Sequence, residues 1–177
     1  MDIARPRPIA TRRLVHITLL SWLAMLGIDF FVHGGLLAAL YLQPSPFLLP
    51  PEQAFRRIPL AYVSFLLLAI LLVWLLVRLH ACTGRAGAVF GLQVGSLIWG
   101  AFVLGLLPIA SANVLLLLGW WLGQTVELAL AGLVAGTGLR AAQLRPLVLR
   151  VGGGVTLLVV VTIALQSAGL APAMRIR

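Results

Sequence analysis

Asp29 and His33 lie four residues apart in one long apolar stretch, and Gln124 and Glu127 lie three apart in another. Each spacing puts its pair on one face of a helix, about one turn apart. Two carboxylates and an imidazole brought together can share protons or hold a cation. The same three side chains, Asp29, His33 and Glu127, form a donor set for a divalent metal. With Gly34 and Gly35 making room beside it, His33 is also a possible axial ligand for haem or a pigment. A structural role competes with all of these: Asp29 and His33 bonded to each other or to a neighbouring helix, and Glu127 bonded to a Gln or Trp. A charged group at the bilayer centre costs about 2.5–3.5 kcal/mol on insertion scales, so such residues rarely face lipid.

Other reactive residues carry less. Cys82 is the lone cysteine, which excludes an intrachain disulfide and a cysteine-based metal site. His80 beside it raises a metal or redox role, and an incidental reduced loop thiol is the simpler account. His16 and His80, at the ends of two apolar segments, are a second way to ligate haem. Trp22, Trp74, Trp99, Trp120 and Trp121 fit headgroup anchors and core packing better than pigment contacts. Nucleophile elbow, zinc-protease, Walker and dinucleotide motifs are all missing from the sequence, so an enzyme is not the expectation.

The elements that must position these residues are membrane helices. The chain has 177 residues, 62% hydrophobic and 10% charged, with a mean hydropathy of +1.10. That composition excludes an ordinary soluble domain. Five segments have the length a bilayer core demands: residues 14–42, 58–79, 86–107, 114–139 and 147–170. The expected fold is therefore all-α, a polytopic transmembrane helix bundle forming one integral membrane domain over residues 1–177. The first segment runs well past the 7–15 residues of a signal-peptide core and is interrupted by Asp29 and His33, so it reads as a retained helix. It is long enough to tilt or to bend at Gly34-Gly35. Gly152-Gly153-Gly154 weakens the fifth segment. Between the first two, residues 43–57 carry four prolines, and 51–57 reads as a short helix lying at the interface.

All thirteen basic residues are arginines, mostly at segment ends rather than in one patch, which argues for topology and anionic lipid over nucleic acid. With the N-terminus inside, Arg5, Arg7, Arg12, Arg13, Arg78, Arg85, Arg140, Arg145 and Arg150 fall on the inner side. Arg56, Arg57, Arg175 and Arg177 fall outside, and this imbalance favours N-inside and C-outside. Arginine without lysine, amid abundant Ala, Gly, Leu and Pro, fits a GC-rich bacterial genome and a bacterial inner membrane.

Glycines mark the seams. Gly87, Gly91 and Gly95 repeat every four residues in the third segment, preceded by Gly84, and make a groove for a helix of the same chain or of a second polypeptide. Gln93 and Ser96 stand beside it, placed to hydrogen-bond across it. In the fourth segment Gly119, Gly123, Glu127, Ala131 and Ala135 share a face, which points Glu127 into a seam. If the first and fourth segments are antiparallel neighbours, Asp29 levels with Glu127 and His33 with Gln124. The steps are about 6 Å and about 4.5 Å at 1.5 Å per residue. The expected function is that of a small subunit or accessory factor of a larger membrane complex, with a membrane protein or a second copy as partner. The alternative is a small oligomeric proton- or cation-linked carrier or channel working through Asp29, His33 and Glu127.

Overall fold

The computed structural model describes residues 10–43 and 45–172. Helix α1 (Thr11–Phe31) runs directly into a π-helical turn (Val32–Leu36) and a short α2 (Ala38–Tyr41). After the proline-rich connection come α3 (Pro51–Arg78), α4 (Gly84–Leu106), α5 (Val114–Arg140) and α6 (Arg145–Ser167). Among the described residues there is no strand. Five helices are long and apolar enough to cross a membrane: α1 with its π-turn, α3, α4, α5 and α6. The protein is an all-helical, multi-pass membrane bundle. Helix is the only open-chain answer in hydrocarbon, where backbone amides find no water.

Local sequence sets the helix ends. The Thr83 hydroxyl accepts from the Ala86 amide at 3.2 Å and starts α4. The Asn113 side chain accepts from the Leu115 amide at 2.8 Å and starts α5. These are the cap residues a helix start prefers. At the far end of α5, the Arg13 guanidinium donates to the carbonyls of Gly138 and Ala141, the first at 2.8 Å. It thereby satisfies carbonyls that the helix leaves without partners.

Two expectations need correcting. The stretch 51–57 is not a separate interfacial helix but the first two turns of α3, which continues through Pro59. The amides of Gln53 and Ala54 bond to the Pro50 carbonyl at 2.9 and 3.0 Å, and once that turn is nucleated, propagation is easier than stopping. Likewise Gly152, Gly153 and Gly154 do not weaken α6, which runs unbroken through them. Any break there would strand backbone groups in an apolar medium. The bend foreseen at Gly34-Gly35 takes the form of the π-turn. Arg5, Arg7, Arg175 and Arg177, used in the arginine tally, lie outside the described residues.

Helix α5 is the centre of the bundle, with α4 packed along one side and α1 along the other. The α4–α5 seam is built from backbone. A Cβ on Gly87 would strike the Gly132 carbonyl, one on Gly91 the Leu128 carbonyl, and one on Gly95 would lie 3.0 Å from Thr125 Cα. The relation is reciprocal, because a Cβ on Gly132 would strike the Gly87 carbonyl and one on Gly136 that of Thr83. The groove read from the sequence is therefore filled by the chain's own fourth span. On its other side α5 uses Gly119 against Leu37 and Gly123 against Val32 and His33. Ile17, Met25, Leu72, Leu76, Leu128 and Ala131 fill the space where α1, α3 and α5 meet.

Candidate functional site

The α1–α5 contact brings the two polar pairs together. His33 Nε2 lies 3.6 Å from Asp29 Oδ1 and 3.8 Å from Glu127 Oε1. One ligand atom from each of Asp29, His33 and Glu127 falls within 4.8 Å of the others. Among the described residues this is the one group of three or more His, Cys, Asp or Glu side chains close enough to share a metal. Glu127 is fully buried, whereas the Asp29 and His33 side chains keep 20% and 17% of their surface exposed. The site is therefore closed on the α5 side and less enclosed on the α1 side.

Gln124 is buried and donates from Nε2 to Glu127 Oε1 at 3.0 Å. Its expected level pairing with His33 gives way to this bond within its own helix, and His33 reaches across to Glu127 instead. Four buried side-chain atoms among the described residues stay without a hydrogen-bond partner, and two of them, Glu127 Oε2 and Gln124 Oε1, belong to this cluster; the others are Ser21 Oγ and Trp99 Nε1. Buried polar atoms are nearly always satisfied, so two orphans side by side indicate a place that wants a proton, a cation or a water.

The far side of His33 is held as well. Its Nδ1 lies 2.5 Å from Tyr41 Oη, and the Trp120 indole donates to that same oxygen at 2.6 Å. An indole N–H can only donate, so Tyr41 is an acceptor in this chain and its oxygen is pinned between α2 and α5. The imidazole and phenol rings meet edge-on, with centroids 5.6 Å apart. The π-turn sits directly under His33: the Leu37 amide reaches back five residues to the Val32 carbonyl at 2.7 Å. Such turns insert an extra residue and re-aim the side chains around them, often at functional sites. The Gly34 carbonyl within this turn accepts from Gln166 Nε2 of α6 at 2.9 Å.

The remaining sequence candidates do not join this cluster. His16 is exposed, with Nδ1 2.6 Å from the Arg12 carbonyl. His80 sits exposed in the α3–α4 turn at φ +55°, next to the half-buried Cys82. Gly34 and Gly35 do not open a space for a haem or pigment ring, since a Cβ on either would already meet Thr162, at 3.6 and 3.8 Å. Gln93 faces outward rather than into the seam, being about 200° round the helix from both Gly91 and Gly95. Ser96 does take part, through its carbonyl, which accepts from Trp121 Nε1 at 3.0 Å. Trp22 donates to the Tyr62 carbonyl at 2.8 Å, and Trp74 lies under the Arg78 guanidinium at 5.6 Å.

Sequence reasoning missed Tyr41 and Gln166. Tyr41 is eight residues beyond His33, about 80° round an ordinary α-helix, so its spacing gave no signal and the π-turn is what brings the two together. Nothing in the sequence marks Gln166 as the partner of a π-turn carbonyl. No protein-family model, curated protein or solved structure matches this chain. The chemistry of the site therefore has to be read from its own atoms.

Proposed function

We propose that this protein is a small carrier or channel unit of a bacterial inner membrane, working through proton or cation binding at Asp29, His33 and Glu127. The observation that supports this reading is the convergence of two acids and an imidazole from two different spans, with a fully buried Glu127 whose Oε2 has no partner. N-inside is the favoured orientation: Arg12, Arg13, Arg78, Arg85, Arg140 and Arg145 cluster at helix ends that the alternating spans put on one side, against Arg56 and Arg57 on the other.

A subunit or accessory role in a larger membrane complex is the second reading, and α6 is the observation in its favour. Gly152, Gly153 and Gly154 have nothing within 4 Å of where a Cβ would stand, a bare surface on which a foreign helix can approach closely. Reconstitution into proteoliposomes separates the two. Under the carrier reading wild type conducts protons or cations, and Asp29→Asn and Glu127→Gln abolish the flux while leaving a monodisperse protein. A subunit shows no flux, tolerates those isosteres, and loses its co-purifying partner on Gly153→Leu.

A further inference from the structure

We infer that Asp29, His33 and Glu127 bind one divalent transition-metal ion of the zinc, cobalt and iron(II) class, held between α1 and α5 with a further coordination position on the less enclosed α1 side. The inference rests on the cation-binding reading above and names its ion.

The donor set is two carboxylate oxygens and one imidazole nitrogen, without a thiolate. That set suits borderline divalent ions rather than copper(I), and the imidazole disfavours magnesium and calcium, which take oxygen ligands. Spacing points the same way. With metal–ligand bonds of about 2.0–2.2 Å, tetrahedral ligands stand roughly 3.4 Å apart and octahedral neighbours roughly 3.0 Å apart. His33 Nε2 stands 3.6 Å from Asp29 Oδ1 and 3.8 Å from Glu127 Oε1. The two His33 separations need a contraction of only a few tenths of an ångström for four-coordination and about twice as much for six, while the two carboxylates, within 4.8 Å of each other, must close by more than that.

An independent observation points to a ligand. Glu127 is fully buried in the floor of the site, and its Oε2 has no hydrogen-bond partner, nor does Oε1 of the buried Gln124 beside it. A cation satisfies such acceptors directly. The supporting shell is also in place. Gln124 Nε2 orients the Glu127 carboxylate, and Tyr41 Oη, fixed by Trp120, stands where it can accept the Nδ1 proton of a His33 that ligates through Nε2. Metal-bound histidines nearly always carry such a partner on the other nitrogen. The partial exposure of the Asp29 and His33 side chains leaves room for a further ligand on the α1 side of the site.

The test uses the full chain in detergent, stripped with a chelator and titrated with Co²⁺ and Zn²⁺, with bound metal measured by mass spectrometry and cobalt geometry by its visible d–d bands. One equivalent is expected to bind with a four-coordinate cobalt spectrum. Asp29→Asn, His33→Gln and Glu127→Gln are each expected to weaken binding at least roughly tenfold, and Tyr41→Phe by about tenfold through the outer partner. Asp29→Asn is isosteric and only part-buried, so it remains informative should a Glu127 variant fail to fold. No binding, or binding that these variants leave undiminished because it resides at His16, His80 or Cys82, overturns the inference. Proton flux in metal-free buffer stands or falls separately, so the loss of one reading is not mistaken for the loss of the other.

Discussion

At the scale of single residues, the chain Trp120–Tyr41–His33 is what holds the imidazole against the two acids. Its members come from α5, α2 and the π-turn, so removing the middle one releases the other two. Tyr41→Phe leaves the Trp120 N–H without its acceptor and His33 Nδ1 without its partner. A stability loss of about 1–3 kcal/mol is expected, the usual penalty for stranding a buried polar group. Thermal unfolding in detergent measures it, and an unchanged midpoint refutes the role. Asp29, His33, Gln124 and Glu127 were legible in the sequence because charge in an apolar run is conspicuous. Tyr41 was not, because a tyrosine near a helix end looks like any interfacial aromatic, and only the π-turn brings it over His33.

At the scale of elements, the glycines divide into two kinds that their spacing alone does not separate. Gly91 and Gly132 sit where α4 and α5 touch backbone to backbone, whereas Gly153 faces open space. Gly91→Leu or Gly132→Leu must push the helices apart, and a loss of more than about 3 kcal/mol is expected, beyond ordinary core overpacking. Gly153→Leu is expected to change the stability of the isolated protein by less than about 0.5 kcal/mol. Denaturant titration of the three variants checks both statements at once. A Gln166→Leu change strips the π-turn of the donor to Gly34, with an expected loss of about 1 kcal/mol. Five spans and the Gly87-Gly91-Gly95 groove were readable from hydropathy and four-residue spacing. The matching stripe on α5 was overlooked because Leu128 interrupts it: there the contact is made by a carbonyl, which no residue type advertises. The continuity of residues 51–57 with the span that follows was likewise hidden, since the proline signal before them is local.

At the scale of the whole molecule, α5 is shared between a tight seam with α4 and a polar seam with α1, so the α4–α5 pair presents Glu127 to the π-turned end of α1. Orientation adds a further check. The lone cysteine, Cys82, sits between α3 and α4 at the arginine-rich end. A membrane-impermeant thiol reagent is expected to label Cys82 only after permeabilisation, and labelling in intact cells reverses the topology. The most direct test of the central claim, that the α1–α5 cluster takes up protons or cations, is the unfolding midpoint of wild type and Glu127→Gln followed across pH, with and without added divalent ion. Wild type is expected to respond to both, and the variant to lose most of that response. Superimposable profiles would contradict the account and leave the cluster as a structural contact.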